Sequence, residues 1–234
     1  MLSPNPIDSM GNYLVRIFPF INAYFPQTKS IDSILIHIHG GGFIAGSSRG
    51  QQTFTRQWAN ITGLAVFSID YHLSPDYSYP AAIEDVWQGY YWIIKYSKEI
   101  LKADINKVIL IGDSAGGCLA TAVVIKAIQA SFRKPDYLIL GYPCLNLDPR
   151  HFYPSILMGF DNVLIKALYM QICNKFYVGG KDTQNDPFLS PITVKDGDLI
   201  QFPEVIFMAA GKDSLRDHSY AMHNRLLYKY NVGN

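Results

Sequence analysis

A chain of 234 residues can bury a sizeable core and is most simply one domain, residues 1–234. Its 49% hydrophobic and 17% charged residues argue against a disordered chain, and a net charge of +1 without runs of like charge gives no indication of a nucleic-acid-binding surface, so we expect no nucleic-acid partner. No apolar stretch reaches a membrane span and no secretory signal is visible, so we expect a soluble cytoplasmic protein whose three cysteines are buried free thiols.

Apolar runs that alternate with helical patterns follow an N-terminal segment, residues 1–30, that we expect to be irregular. The patterns predict strands at 34–39, 64–70, 107–111, 137–141 and 204–209, and helices at 53–62, 81–96, 115–130 and 216–230. Strands that are apolar on both faces and alternate with helices are typical of a mostly parallel sheet covered on both sides. We therefore predict an α/β fold.

A long insertion, residues 145–202, separates the last two predicted strands and contains a predicted helix at 162–176. In an α/β fold an insertion at this point overhangs the carboxyl ends of the strands, where ligands bind. We therefore expect it to behave as a cap over a site.

The first site motif is Gly112-Asp113-Ser114-Ala115-Gly116, which follows a predicted strand and opens a predicted helix. That setting is typical of a serine nucleophile, because the sharp turn exposes the hydroxyl and the helix N-terminus favours negative charge. The alternative is a glycine-rich turn without chemistry.

A second motif, His39-Gly40-Gly41-Gly42, ends the first predicted strand. Acyl transfer creates an oxyanion, and backbone N–H groups that point at it stabilise it. We expect the N–H groups of Gly41, Gly42 and Ala115 to form this oxyanion hole, and His39 to hold the loop. The alternatives are a flexible loop or a phosphate-binding turn, although the glycine spacing fits neither common nucleotide motif.

Five segments together resemble the hormone-sensitive-lipase-type family of α/β hydrolases: residues 39–43 (HGGGF), 69–76 (IDYHLSPD), 79–85 (YPAAIED), 112–117 (GDSAGG) and 186–191 (DPFLSP). The similarity covers about residues 33–226. It implies an α/β-hydrolase fold and an esterase or lipase that uses Ser, Asp and His through an acyl-serine intermediate, without metal or cofactor. It also implies that Asp213 is the acid, with Ser214 where the family has proline, whereas Asp217 is expected to be a helix cap or a surface charge.

No histidine of this sequence matches the position of the family's general base. In the family a histidine follows one further strand after the acid, and this sequence ends at Asn234 without that strand. We therefore expect a fragment that lacks the last strand and part of the N-terminal cap, or else a natural pseudoenzyme. We expect His218 and His223 to face away from Ser114, with His218 as a remote substitute base. The chain contains six histidines: His37, His39, His72, His151, His218 and His223.

The leading functional hypothesis is a carboxylic ester hydrolase whose partner is a small acyl ester or a lipid, with transient contact to a lipid surface. The alternatives are an amide deacetylase with the same apparatus and an inactive ligand-binding homologue. Aromatic and aliphatic side chains either line the acyl pocket or pack the insertion: Phe43, Phe152, Tyr153, Ile156, Leu157, Met158 and Phe160.

Overall fold

The computed structural model describes residues 21–24, 32–160 and 167–232. Within them a six-stranded sheet has the order β1-β3-β2-β4-β5-β6. All neighbouring strands are parallel except β1, which pairs antiparallel with β3. The strands are β1 (Ile21–Tyr24), β2 (Ser33–Ile38), β3 (Ala65–Ile69), β4 (Lys107–Asp113), β5 (Tyr137–Gly141) and β6 (Glu204–Met208).

Helices connect the strands and cover both faces of the sheet. Along β2, Ile34, Ile36 and Ile38 join the large core formed with α2 and α3, while Leu35 packs on the other face with Ala59 of α1. The helices are α1 (Gln52–Thr62), α2 (Ala81–Leu101), α3 (Ala115–Gln129), α4 (Ala167–Val178), α5 (Asp196–Leu199) and α6 (Arg216–Val232), with 3-10 turns at Pro154–Phe160 and Pro191–Thr193. This architecture confirms the predicted α/β fold with a mostly parallel sheet.

The predicted elements differ from the observed ones mainly at their ends. Helix α2 continues to Leu101, β4 continues to Asp113, and α4 replaces the helix predicted at 162–176, whose first five residues lie outside the described part. The expectation of an irregular segment 1–30 is wrong for residues 21–24, which form β1. Four half-buried residues of mixed polarity are too few to show a strand pattern, and the pairing with β3 decides their conformation. Residues 1–20 and 25–30 lie outside the described residues.

Parallel strands bring the candidate residues to one edge of the sheet. The glycine loop follows β2, Ser114 follows β4, and Asp213 follows β6, so all of them lie at the carboxyl ends of the strands. In such sheets this edge is where ligands bind. Within the described residues, every helix is too short or too polar to cross a bilayer.

Candidate active site

Ser114 occupies a sharp turn between β4 and α3. Its backbone has φ 53° and ψ −119°, a conformation that residues with a Cβ rarely adopt. The Ser114 N–H donates to the carbonyl oxygen of Gly141 at 2.9 Å. Its carbonyl oxygen accepts from the N–H groups of Gly117, Cys118 and Cys144. These four bonds hold the strained residue in place.

The glycines on either side of Ser114 allow this turn to pack tightly. A Cβ on Gly112 would lie 2.3 Å from the carbonyl oxygen of Gly116, and a Cβ on Gly116 would lie 2.2 Å from that of Ile38. Both contacts are far inside van der Waals distance and involve backbone that cannot rotate away. The motif therefore requires glycine at both positions.

The glycine loop after β2 lies beside this turn with several residues in left-handed conformations. The φ angles are 116° at Gly41, 64° at Gly42 and 65° at Phe43. In the described part of the chain, no hydrogen bond engages the N–H of Gly41 or of Gly42. The N–H of Ala115 belongs to the first turn of α3, where backbone donors lack intrahelical partners. Within the described residues, these three N–H groups thus have no acceptor in the protein.

Asp113 and His39 hold the start of this loop. The N–H of Gly40 donates to Asp113 Oδ1 at 3.2 Å, and a Cβ on Gly40 would lie 2.4 Å from Asp113 Oδ2. His39 Nδ1 donates to the carbonyl oxygen of Gly40 at 2.7 Å, and its ring stacks on Tyr71 at 4.3 Å between centroids. Burial lowers the pKa of His39, so the ring is a neutral structural group. These contacts support the expected role of His39 in holding the loop.

A cavity of about 430 Å³ opens in front of these groups. Ser114, Ala115, Gly41 and Gly42 form one part of its wall. The other parts come from Phe43 at the end of the glycine loop, from the segment after β5, from the insertion, and from the turn before α6 and its first turn: Cys144, Asn146, Leu147, Asp148, Pro149, His151, Tyr153, Ile156, Tyr169, Met170, Gln171, Cys173, Asn174, Ser214, Leu215 and His218. The structure thus brings the predicted nucleophile and oxyanion donors to one cavity.

Helix α4 supplies cavity residues that the sequence did not indicate. Cys173 Sγ and the Tyr169 hydroxyl lie so close to Gly42 that a Cβ there would be 2.6 Å and 3.3 Å away from them. Cys173 is a free thiol, as are Cys118 and Cys144. The sequence pattern predicted a helix here but carried no signal for which of its faces meets the glycine loop.

The predicted acyl-pocket residues divide into two groups. Phe43 lines the cavity and stacks on Tyr177 at 3.8 Å between centroids, and Tyr153 and Ile156 line it as well. Phe152 and Leu157 are 63% and 56% exposed and lie outside the lining. Met158 contacts Arg216 through its sulfur, and the Phe160 side chain lies outside the described part.

Asp213 lies in the turn before α6 and is 7% exposed. Its Oδ1 accepts from the N–H of Leu215 at 2.9 Å, and burial raises the pKa of the carboxyl group. Among the described residues, no histidine donates a hydrogen bond to it. The neighbouring Asp217 accepts from the N–H of Ser155 at 2.8 Å and pairs with Arg216, so it joins α6 to the 3-10 turn 154–160.

The expectation that His218 faces away from Ser114 is wrong, because His218 lines the same cavity. It lies in the first turn of α6, where the N–H of Leu145 donates to its Nδ1 at 3.1 Å and fixes the ring. Burial lowers the pKa of His218 to about 4. A neutral ring with an accepting Nδ1 carries its proton on Nε2, so neither nitrogen is free to take a proton from Ser114.

The other histidines are committed elsewhere or lie at the periphery. His37 of β2 bonds its neighbour Ser68 of β3 at 2.8 Å, and His72 pairs with the fully buried Asp85 at 2.6 Å. His151 is exposed where it lines the cavity, and His223 is exposed beside Phe207.

Comparisons with known proteins agree with this geometry. A family model described as the alpha/beta hydrolase fold matches residues 35–232. Hormone-sensitive lipase of Homo sapiens is 35% identical over 155 residues, which is 66% of this chain and 14% of that protein. Esterase LipI of Mycobacterium tuberculosis is 29% identical over 198 residues, 83% of this chain and 60% of the relative. A hyperthermophilic esterase from the archaeon Pyrobaculum calidifontis has a solved structure with a TM-score of 0.81 at 30% identity, covering 89% of this chain and 66% of that one.

Coverage of these relatives is partial. The chain spans between 14% and 21% of the length of the hormone-sensitive lipases it matches and 60% of the mycobacterial esterase. The matched portion of the human lipase is thus a small part of that protein.

Proposed function

Because the chain belongs to the hormone-sensitive-lipase-type family of α/β hydrolases, we propose that it carries the nucleophile and oxyanion hole of a serine carboxylic ester hydrolase. Its substrates in this proposal are lipid or acyl esters, and the reaction passes through an acyl-serine intermediate. The observation that carries the proposal is Ser114, a strained residue facing a cavity between two sets of available N–H donors.

The first step is attack of Ser114 Oγ on the ester carbonyl carbon. The carbonyl oxygen becomes an oxyanion, to which the N–H groups of Gly41, Gly42 and Ala115 donate, each worth roughly 3 kcal/mol of barrier. The C–O bond to the alcohol then breaks, and the alcohol leaves with the proton that Ser114 gave up. Water attacks the acyl-serine in the same geometry and releases the acid.

Both steps need a general base, which Asp213 would orient. The six histidines of this sequence either use their nitrogens in fixed hydrogen bonds or lie without a described bond to Ser114 and Asp213. In this proposal, full catalysis relies on a histidine other than these six, because within the described residues no hydrogen bond joins a histidine to Ser114 or to Asp213. A substitute role for His218 is disfavoured because Leu145 occupies its Nδ1.

Labelling with a fluorophosphonate tests the nucleophile. Because no base activates the hydroxyl, we expect the probe to attach to Ser114 slowly, so that mass spectrometry locates the adduct only after long incubation, and Ser114→Ala to abolish the label. Ser78→Ala is the matched control, because Ser78 is exposed and lies outside the cavity lining. Labelling that survives Ser114→Ala, or no labelling of the folded chain, contradicts the assignment of Ser114.

A second candidate is an inactive homologue that binds esters in the same cavity. The occupied Nδ1 of His218 and the lack of a histidine bonded to Asp213 in the described part favour it. Ligand binding in the cavity without fluorophosphonate labelling at Ser114 distinguishes this candidate from the hydrolase.

A further inference from the structure

One wall of the cavity is polar although no reacting group of the proposed mechanism lies on it. His218 and Tyr153 both line the cavity, and their ring centroids are 4.6 Å apart. His218 comes from the first turn of α6 and Tyr153 from the residue before the 3-10 turn 154–160. The two rings therefore form a single patch from two separate segments.

The histidine in this patch is fixed as a hydrogen-bond donor. The N–H of Leu145 donates to Nδ1 at 3.1 Å, so the neutral ring carries its proton on Nε2. Across the described part of the chain, no hydrogen bond engages Nε2. Burial also lowers the pKa of His218, which keeps the ring uncharged at neutral pH, while the bond from Leu145 selects the tautomer.

The tyrosine in the patch is a second donor. Asn146 Nδ2 donates to the Tyr153 hydroxyl oxygen at 3.3 Å, and Asn146 Oδ1 accepts from the N–H of Asp148 at 2.9 Å, which fixes the orientation of the amide. The phenol oxygen therefore accepts, and its own proton has no acceptor among the residues the structure describes. Burial raises the pKa of Tyr153, so the hydroxyl keeps this proton.

Two neutral donors on neighbouring rings favour one kind of ligand group. A purely alkyl ligand that displaces water from the patch leaves both donors unpaired, whereas an oxygen acceptor satisfies them. Sites built to bond a substrate oxygen discriminate strongly against analogues that lack it, because the buried donors are then left without partners.

We propose that His218 Nε2–H and Tyr153 O–H form an oxygen-binding subsite that selects esters with a second acceptor oxygen near the scissile carbonyl over alkyl esters of the same shape. The inference rests on the proposed function, since it assumes that the ester lies in the cavity beside Ser114. It names a substrate class, oxygen-bearing esters, for that site.

Binding measurements in a Ser114→Ala background test the subsite without turnover. Two ligand pairs are matched in shape: ethyl acetoacetate with ethyl isovalerate, and methoxyethyl butyrate with butyl butyrate. Calorimetry or ligand-observed NMR gives the dissociation constants, and the preference is the ratio of the two constants within a pair. We expect Tyr153→Phe and His218→Leu each to reduce this preference about threefold to tenfold in at least one pair.

His223→Leu is the matched control for His218→Leu, because His223 lies on the same helix, is exposed and is outside the cavity lining. It should leave the preference unchanged. Tyr153→Phe keeps the ring and decides the question if His218→Leu does not fold. A preference that is the same in the parent and in Tyr153→Phe, for both pairs, overturns the subsite.

Labelling of Ser114 in the otherwise unchanged chain separates the two proposals. If Ser114 is labelled and the preference does not respond to the variants, the hydrolase assignment stands and the subsite is wrong. If Ser114 is not labelled and the preference falls in both variants, the subsite stands as a binding site and the hydrolase assignment is wrong.

Discussion

At the scale of single residues, backbone hydrogen bonds and the glycines on either side of Ser114 determine its conformation. A residue held at such dihedral angles costs roughly 1 to 3 kcal/mol, and the three N–H groups that donate to its carbonyl oxygen help to offset this cost. Gly112 and Gly116, which permit the turn, each lie only two residues from Ser114 in sequence. The local motif could therefore be predicted from the sequence alone.

Gly116→Ala tests how tightly this turn is packed. The new Cβ would lie 2.2 Å from the carbonyl oxygen of Ile38, so we expect a loss of roughly 2 to 4 kcal/mol in the free energy of unfolding. Gly197→Ala is the control, because within the described residues no atom outside its own helix backbone and its chain neighbours lies within 4 Å of the added Cβ, and it should be neutral or slightly stabilising. Urea unfolding measures both variants, and equal stability of the two would contradict the packing argument.

The orientation of His218 could not be predicted in the same way. Its ring is fixed by the N–H of Leu145, a residue far away in sequence that lies beside it only in the folded structure. Helical periodicity places His218 on α6 but does not say which direction meets the cavity. A tertiary hydrogen bond therefore decides this part of the site.

At the scale of elements, apolar runs predicted the four central strands because β2, β3, β4 and β5 are largely buried between layers of helices. Strand β1 was missed because its four residues are all half-buried and pair at the edge of the sheet. The helix in the insertion was predicted, but its contact with the glycine loop was not. Periodicity therefore finds elements and does not reveal which elements touch.

The packing of α6 makes stability depend on pH through His218. The pKa of His218 is 6.5 in the unfolded chain and about 4 in the folded protein, mainly because of burial. Between these pH values only the unfolded chain binds the proton, and this binding favours unfolding. The stability linked to the neutral His218 is therefore complete above about pH 6.5 and is lost as the pH falls toward 4. Lowering the pH from about 7 to about 5 should therefore remove on the order of 2 kcal/mol of this contribution.

Urea unfolding of the parent chain and of His218→Leu at the two pH values measures this effect. The unfolding free energy of the parent minus that of His218→Leu should fall as the pH is lowered, because the leucine variant has no proton to bind at this position. If this signed difference stays constant or rises, His218 does not have a lowered pKa in the folded protein.

At the scale of the whole molecule, residues that are far apart in sequence meet at one edge of the sheet. The meeting of Ser114 with the glycine loop could be predicted, because two glycine motifs follow strands of a parallel sheet. The cavity walls could not, since they come from the insertion and from α6. The assignment of Asp213 as the acid stays a prediction based on family resemblance.

The arrangement of histidines predicts weak turnover by this 234-residue chain. Without a base, hydrolysis of p-nitrophenyl acetate or butyrate should be slower by several orders of magnitude than in a complete triad, because triad members act as a unit. Steady-state kinetics of the purified chain measure this. Fast turnover that is abolished by Ser114→Ala and retained in His223→Leu would show that one of the present histidines serves as the base after all.

The close packing of Cys173 against Gly42 links the shape of the cavity to the position of the glycine loop. A larger residue at position 173, introduced to reshape the cavity, presses on Gly42 and displaces its backbone, whose N–H is one of the proposed oxyanion donors. A retreat of α4 to admit a bulkier ligand removes the packing against the same glycine. During evolution or engineering, the breadth of accepted ligands and the rate of the chemical step are therefore expected to change together.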